Sequence, residues 1–215
     1  MKKLSQCLVV LTLVGVLLVG YAVAGATSRN VVVKRGTVQV DGVLDESAWK
    51  SAVWYDLNED TAYAENGKFG DYSGAFALAY DADFIYFAYK AKDSKLIGTR
   101  TGENIWQDDC IEAWFSWKDA RQESQPGYYQ VGLAPLTSSG EPGTWVWRAA
   151  PGADTKALEG IEVAAVTTDE GWILEASMAR AAFDIPAVLP INATFNLSVV
   201  NRDAEGSGGD ANWNH

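Results

Sequence analysis

The sequence predicts an all-β protein, an antiparallel β-sandwich of the jelly-roll or immunoglobulin-like kind. About ten short segments show the two-residue alternation of half-buried strands, and Gly, Asp, Pro and Ser residues separate them. No segment keeps a helical period for long, and the chain contains no internal repeat. Many short, closely spaced strands without long helices are typical of sandwiches, so we expect two packed sheets.

The strand predictions rest on alternation and on turn residues between the segments. The segment 84–89 is apolar on both faces, which is typical of a central strand, and Asp81-Ala-Asp83 before it predicts a hairpin turn. One short helix is predicted at 46–52, with Asp45 as its N-cap and Trp49 directed inward. Strands are expected at 31–33, 37–40, 75–80, 84–89, 110–117, 128–133, 144–148, 161–166, 171–178 and 195–201.

The N-terminal residues have the order of a secretory signal peptide. Lys2 and Lys3 precede an uncharged apolar stretch, and the small-residue triplet Ala22-Val23-Ala24 follows it. An uncleaved membrane anchor is the alternative, because the uncharged run approaches the length that spans a bilayer. The triplet favours cleavage, so residues 1–24 are interpreted as a signal peptide of a secreted or periplasmic protein that keeps no membrane segment. Residues 25–36 are then a leader with the first strand, and residues 37–215 are one domain.

Charge and composition exclude several classes of function. The formal net charge is −11, and it becomes more negative when the two lysines of the signal peptide are removed. Such a chain is repelled by phosphate backbones, so no nucleic-acid partner is expected. Only Cys110 follows the signal peptide, which excludes an internal disulfide. His215, the single histidine, is the last residue, which argues against histidine-based catalysis.

Nine tryptophans are many for a chain of this length, and their settings differ. Trp49, Trp114 and Trp172 lie in apolar periodic segments and are predicted to pack in the core. Trp106 follows a polar stretch expected to form a loop, and Trp213 stands between two asparagines. Exposed loop tryptophans suggest a ligand. A pyranose fits them, because it has an apolar face for aromatic rings and a rim of hydroxyls for amides and carboxylates.

The segment around Trp106 also offers groups for a sugar's hydroxyls. Gln107, Asp108, Asp109 and Glu112 carry planar amide or carboxylate groups. Strand alternation puts Glu112 on the face of Cys110, Trp114 and Ser116, where a carboxylate is costly unless it is hydrogen-bonded. Glu112 is therefore either a ligand-binding or a structural carboxylate. Asp108 and Asp109 are adjacent and would point to opposite faces, which argues against a catalytic pair that flanks one bond.

Four segments in order resemble the family 9 carbohydrate-binding modules, which are related to the DOMON-like β-sandwich superfamily. The resemblance covers essentially the whole chain after the signal peptide, and the order of four motifs is more specific than any one of them. The segments are Val40-Asp-Gly-Val-Leu-Asp-Glu-Ser-Ala-Trp49, Asp83-Phe-Ile-Tyr-Phe-Ala-Tyr-Lys-Ala-Lys-Asp93, Trp106-Gln-Asp-Asp-Cys-Ile-Glu112 and Phe195-Asn-Leu-Ser-Val-Val-Asn-Arg-Asp203.

The resemblance implies a non-catalytic β-sandwich, often stabilised by calcium, that holds the reducing-end sugar of a glucan or xylan fragment between two tryptophans. It implies a role in polysaccharide catabolism, either alone or as an accessory module of a glycoside hydrolase. In the family a sandwiching tryptophan and a hydrogen-bonding glutamate are six residues apart, as are Trp106 and Glu112. The second tryptophan and a nearby asparagine correspond to Trp213 and Asn212. The calcium ligands and a sugar-contacting basic residue are not assigned.

The end of the chain departs from the family pattern. Members continue past the second tryptophan with a final strand, whereas this chain stops two residues after Trp213. The resemblance therefore leaves two alternatives: the domain is truncated at its C-terminus, or another segment replaces the last strand.

Two other functions remain open at the level of sequence. Related sandwiches bind b-type haem and transfer electrons, with Met and His or Lys as axial ligands, so Met178 with a lysine such as Lys90 must be considered. Met178 continues the apolar face of Trp172, Leu174 and Ala176, which favours a core position, and no haem is expected. A structural or adhesive envelope protein, whose tryptophans contact another protein, is the third possibility.

Overall fold

The computed structural model describes residues 30–58, 63–64, 72–117, 127–149, 153–186, 193–202 and 209–212. No helix within these ranges is both long enough and apolar enough to cross a membrane. The strands and helices are β1 (Val33–Arg35), α1 (Ser47–Lys50), β2 (Tyr55–Leu57), β3 (Tyr63–Ala64), β4 (Ser73–Tyr80), β5 (Phe84–Lys92), a 3₁₀ helix (Gly102–Gln107), β6 (Cys110–Ser116), β7 (Tyr128–Ala134), β8 (Gly143–Arg148), α2 (Asp154–Glu159), β9 (Ile161–Thr168), β10 (Gly171–Ala179), β11 (Thr194–Asn201) and β12 (Gly209–Asn212).

The described residues form two six-stranded sheets, which confirm the predicted β-sandwich. The first sheet has the order β1-β4-β5-β10-β9, with β2 also paired to β4. All its pairs are antiparallel except β1 with β4, which is parallel. The second sheet has the order β3-β12-β11-β6-β7-β8 and is antiparallel throughout. Strands distant in sequence are thus neighbours in both sheets, which is what joins the chain into one sandwich.

The core between the sheets is rich in aromatic rings. Phe76, Phe87 and Tyr89 stack along the first sheet, and Tyr89 also stacks on Trp172 with ring centroids 5.4 Å apart. From the second sheet, Phe115 stacks on Tyr129 at 5.5 Å. These side chains belong to one buried cluster that includes residues of both sheets. Burial of large rings is the main stabilising term for the described residues, whose single cysteine, Cys110, is free.

Most of the predicted elements are present, and the differences have local causes. The hairpin turn is confirmed: Asp81 Oδ1 accepts hydrogen bonds from the amides of Asp83 and Phe84. The helix near 46–52 exists but is shorter, and Asp45 is not its N-cap. The Asp45 amide is used in a turn to the Val43 carbonyl, and the N-cap position falls on Glu46, which makes no side-chain capping bond.

Two segments differ from their predicted structure. Residues 37–40 form no strand, because they cross the outer face of the first sheet, where Val38 and Val40 pack against a second apolar cluster. The Gly-, Ser- and Asp-containing run 204–210 predicts a loop, yet Gly209–Asn212 forms strand β12 beside β11. Strand β2 and helix α2 were not predicted, because both are too short for a periodic pattern.

The N-terminal segment 36–54 covers the outer face of the first sheet. Val38, Ala48 and Trp49 are buried there against the small side chains of β4 and β5 and against Tyr86. Trp54 lies at the edge of this cluster, and the Lys90 ammonium is 3.7 Å from its ring centroid. Trp49 therefore packs inward as predicted, although it packs onto the outer side of a sheet and not into the core between the sheets.

A buried carboxylate holds this segment in place. Glu175 on β10 is fully buried, and its Oε1 accepts the Trp49 indole N–H at 2.6 Å. Its Oε2 accepts the Gly42 amide at 2.7 Å and the Asp41 amide at 3.2 Å. Gly42 has φ of +81°, a conformation that favours glycine and that turns its amide toward the carboxylate. Burial raises the pKa of Glu175, and these three hydrogen bonds oppose the rise.

Replacement of Glu175 by Gln is expected to lower the free energy of unfolding by about 1–3 kcal/mol, because one carboxylate acceptor becomes an amide donor that faces other donors. Urea denaturation followed by circular dichroism measures the change. The control is Glu162→Gln on the neighbouring strand β9, where the side chain is exposed. Equal stability of Glu175→Gln, Glu162→Gln and the wild type would show that the carboxylate does not hold the segment.

Candidate functional site

The outer face of the second sheet carries polar and aromatic side chains in two adjacent rows. In the first row, backbone pairing sets Ser198, Glu112, Gly132 and Trp145 side by side on β11, β6, β7 and β8. The second row is Asn196, Trp114, Gln130 and Arg148, which lie two residues along β11, β6 and β7 and three residues along β8 because of a register shift. Directly paired residues share a face of the sheet. The predicted site residue Glu112 therefore has polar and aromatic neighbours on both sides.

Glu112 is half-buried and hydrogen-bonded, as its position on a strand requires. Its Oε2 accepts the Gln130 amide N–H at 2.8 Å. Because Gln130 belongs to the second row, this bond links the two rows across β6 and β7. The Oε1 atom of Gln130 makes no hydrogen bond to any residue of the described ranges and remains an acceptor on the surface.

Trp106 is presented by the 3₁₀ helix, which takes the place of the expected loop. Ile105 anchors this helix, because its side chain is buried against Cys110 and Ala134 together with Trp145 and Trp147. Trp106 is the next residue and is 46% exposed. Among the described residues its indole N–H finds no hydrogen-bond partner. Trp106 is thus an exposed tryptophan shortly before strand β6, as the sequence predicts.

A glycine and an irregular strand bring the helix close to the row of Glu112. A Cβ atom at Gly132 would lie 2.4 Å from Cη2 of Trp147 and 3.0 Å from Cδ1 of Ile105, so only glycine fits. The pairing of β7 with β8 shifts between Gln130 and Val131, which adds Trp147 as an extra residue. Its indole N–H donates to the Glu103 carbonyl at 2.8 Å. The helix is therefore fixed immediately above Gly132, the pairing partner of Glu112.

Asp108 and Asp109 hold the end of the helix and do not face a ligand. Both are almost fully buried. Asp108 accepts the Thr99 amide at 2.5 Å and pairs with the Arg100 guanidinium. Asp109 accepts the amides of Ile97 at 2.5 Å and Arg202 at 2.6 Å. The expectation that these carboxylates could contact a sugar's hydroxyls is wrong, because backbone amides, the Thr99 hydroxyl and the Arg100 guanidinium already use their oxygens inside the protein.

The predicted residues of the opposite wall are only partly described. Asn212 ends β12 and pairs with Ser198, so backbone register puts it in the row of Glu112, two strands away. Trp213 lies outside the described residues. The structure thus brings Trp106, Glu112 and the backbone of Asn212 to one sheet, and the position of Trp213 stays a prediction.

Sequence reasoning missed four residues of this face. Gln130 was not considered, although a polar residue inside a predicted strand is a usable signal. Trp145 and Trp147 were not separated from the other tryptophans, because the bulge in β8 breaks the alternation that would have assigned their side. Trp114 was predicted to pack in the core and does not: it belongs to none of the buried clusters of the described residues, unlike Trp49 and Trp172.

The two residues considered as haem ligands lie on opposite faces of the first sheet. Met178 is buried in the core between the sheets, whereas Lys90 lies on the outer face of the same sheet over the Trp54 ring. They therefore cannot ligate the two sides of one haem. Among the described residues, no group of three or more His, Cys, Asp or Glu side chains is arranged to hold a metal ion, so no ligands can be assigned to the implied calcium.

Comparison with known proteins gives one family and several similar structures. The family described as carbohydrate family 9 binding domain-like matches residues 40–215. No curated protein matches the chain significantly. A family 9 carbohydrate-binding module from Caldicellulosiruptor kristjanssonii in complex with cellotriose is 16% identical, with a TM-score of 0.62 over 85% of this chain and 83% of that chain.

Two further structures share the fold. The Caldicellulosiruptor kristjanssonii module in complex with glucose is 17% identical, with a TM-score of 0.64 over 84% of this chain and 83% of that chain. A protein of Bacteroides uniformis described as carbohydrate-binding is 14% identical, with a TM-score of 0.60 over 84% of this chain and 87% of that chain. At these low sequence identities, the three structures show that the fold is similar.

The buried Asp109 generates a prediction for pH dependence. Burial, with Asp93 and Asp108 nearby, raises the pKa of Asp109 to about 7, although the two amide hydrogen bonds oppose the rise. A folded-state pKa above the unfolded value of about 3.9 means that its stabilising contribution is complete below about pH 4 and is lost as the pH rises toward 7. Asp109→Asn cannot titrate, so the unfolding free energy of the wild type should fall relative to this variant by up to about 1.4 kcal/mol per pH unit in that window.

Urea denaturation at several pH values between 4 and 7 measures this difference. Asp169→Asn serves as the control, because Asp169 is an exposed residue of the turn between β9 and β10. Parallel stability curves for wild type and Asp109→Asn would contradict the prediction.

Proposed function

The chain belongs to the family 9 carbohydrate-binding modules, and on that premise we propose that it binds the reducing end of β-glucan or xylan fragments on the outer face of its second sheet. Such modules are non-catalytic. The proposed site contains Trp106 and Glu112, with Gln130 beside Glu112 and with Asn212 and Trp213 as the opposite wall. Binding soluble fragments of plant-type polysaccharides would place the protein in polysaccharide catabolism.

The exposure of Trp106 is the observation that carries this proposal. Almost half of a large indole side chain faces water, while its neighbour Ile105 is buried and fixes the helix that presents it. An exposed indole ring can stack on the apolar face of a pyranose. Because the support is preformed, little ordering entropy opposes binding.

The polar neighbours supply the second half of sugar recognition. Glu112 is a strong acceptor for sugar hydroxyls, and the Gln130 N–H that it accepts keeps its carboxylate in one orientation. Gln130 offers its own carbonyl oxygen, and Arg148 on the neighbouring strand is a basic side chain of the kind that the family resemblance implies. Aromatic, carboxylate, amide and guanidinium groups together suit a ring with an apolar face and a polar rim.

The same proposal covers the cellular setting. The signal-peptide pattern of residues 1–24 supports export to the periplasm or the medium, where polysaccharide fragments are found. A glycoside hydrolase, on the same chain or as a separate partner, would generate the reducing ends that the site is proposed to bind.

Trp106→Ala is expected to weaken the binding of cellobiose or xylobiose about tenfold or more, because loss of a ligand-stacking aromatic costs more than about 1.4 kcal/mol. Isothermal titration calorimetry measures the affinity. Trp106→Phe should keep part of it, since an apolar ring remains. If the wild type binds no member of a panel of glucans and xylans, the proposed function is wrong.

Glu112→Gln is expected to weaken the binding of the same sugars about tenfold, because a charged acceptor is replaced by a neutral amide of equal size. The control is Glu103→Gln, an exposed side chain of the 3₁₀ helix whose backbone carbonyl, and not its carboxylate, binds Trp147. The sugar-induced rise in melting temperature gives an independent readout, since a ligand of the native state stabilises it. Equal effects of the two substitutions would remove Glu112 from the site.

A further inference from the structure

Arg202 binds the C-terminal end of the 3₁₀ helix at two points. It is the first residue after β11, and its guanidinium Nε–H donates to the Gln107 carbonyl at 3.1 Å. Its backbone amide donates to Asp109 Oδ1 at 2.6 Å. Because one bond comes from the side chain and the other from the main chain, they fix both the position and the direction of Arg202 relative to the helix.

The Gln107 carbonyl needs this donor because it lies at the end of a helix. The last carbonyls of a helix have no partner within it, and an arginine near that end can supply one. The 3₁₀ helix closes with one further bond, from the Asp108 amide to the Ile105 carbonyl at 3.1 Å. Trp106 lies between Ile105 and Gln107 in the sequence. The Arg202 guanidinium therefore stabilises the turn of helix that presents Trp106.

Arg202 also belongs to the strand pair that carries the other side of the proposed site. Strand β11 ends at Asn201, directly before Arg202, and Asn201 pairs with Gly209 on β12. Strand β12 then runs back along β11 to Asn212, a residue of the proposed site. The two bonds of Arg202 thus connect the helix that holds Trp106 with the strands that hold Asn212.

Asp109 gives this connection a fixed anchor. It is almost fully buried, its backbone amide donates to the Ile97 carbonyl at 3.1 Å, and its Oδ2 accepts the Ile97 amide at 2.5 Å. Arg202 is half-buried and belongs to none of the apolar clusters of the described residues. A change of the Arg202 side chain therefore removes the connection to the helix and leaves the anchor and the core in place.

We propose that Arg202 is a positioning residue, which holds Trp106 and the β11–β12 pair at the separation that a sugar ring requires and does not itself contact the sugar. This role rests on the proposed function. A preformed gap lowers the ordering cost of binding. Without the guanidinium, the helix end opens more often, and the sugar binds only the fraction of molecules in which it is closed.

The first measurement is the affinity for cellobiose by isothermal titration calorimetry. Arg202→Met keeps the apolar part of the side chain and removes its donors, so it should weaken binding about three- to tenfold, as the closed helix becomes less populated. Arg202→Lys keeps a cation with a donor and should restore part of the loss. Arg35→Met is the matched control, because Arg35 is an exposed arginine on β1 of the other sheet, and it should bind as the wild type does.

The second measurement is hydrogen exchange of the Asp108 amide, followed by NMR. This amide donates to the Ile105 carbonyl, so its exchange reports how often the helix end opens. In the ligand-free protein we expect about tenfold faster exchange in Arg202→Met, because the guanidinium bond no longer stabilises the closed helix. The amides of the central strand β10 should be unchanged. Saturation with cellobiose should return Asp108 in the variant to the wild-type rate, which a role in folding alone does not predict.

The results separate this role from the proposed function. Unchanged cellobiose affinity in Arg202→Met overturns the positioning role, whatever the Asp108 exchange, and leaves the proposed function intact. A lower affinity with unchanged Asp108 exchange also overturns it, because Arg202 would then act on the sugar directly. If Arg202→Met speeds exchange throughout β10, the variant is globally destabilised, and Arg202→Lys is judged by the same two results. Wild-type protein that binds no sugar overturns both.

Discussion

The hydrogen bonds of Glu175 determine which outer face of the sandwich is closed. A sandwich buries one face of each sheet and leaves two faces outside, and a carboxylate in the middle of β10 would be costly if it were merely covered. Its three donors come from the segment before and within α1, so the carboxylate is satisfied only when that segment lies across the sheet. The first sheet is thereby covered by its own chain. On the outer face of the second sheet, the described residues present aromatic and polar side chains that can meet a ligand.

On the second sheet, contacts from several elements hold the 3₁₀ helix in place. The 3₁₀ helix is short, and helices of this kind hold few internal hydrogen bonds, so other residues must fix it. Ile105 packs below it, Trp147 donates to the Glu103 carbonyl, and Asp108 and Asp109 bind the backbone on either side of its C-terminal end. The carboxylates that look like ligand-binding groups in the sequence are thus used for positioning. The exposed Trp106 depends on them without touching them.

Sequence reasoning identified the candidate site residues that belong to one continuous segment. It missed the residues that reach the site only through the pairing of strands. Trp106 and Glu112 belong to one continuous segment, so loop polarity and strand alternation were enough to single them out. Gln130 joins them only because β7 pairs with β6 in a particular register, which short alternating strands do not specify. The bulge in β8 moved Trp147 against Gly132, and an extra residue of this kind leaves no mark in the alternation. Trp114 was assigned to the wrong side because an apolar residue on an outward position resembles a core residue.

The sequence by itself determined the class of fold, most strand positions, the hairpin at Asp81-Ala-Asp83 and the family, because these depend on periodicity and on ordered local motifs. Only the tertiary structure decided which strands are neighbours, where the N-terminal segment lies, and which tryptophans face outward. The physical reason is that Glu175 and its donors are separated by more than 120 residues, as the Trp49–Glu175 bond illustrates with 126. Contacts over such separations are set by the packing of the whole sandwich, and a local pattern carries no information about them.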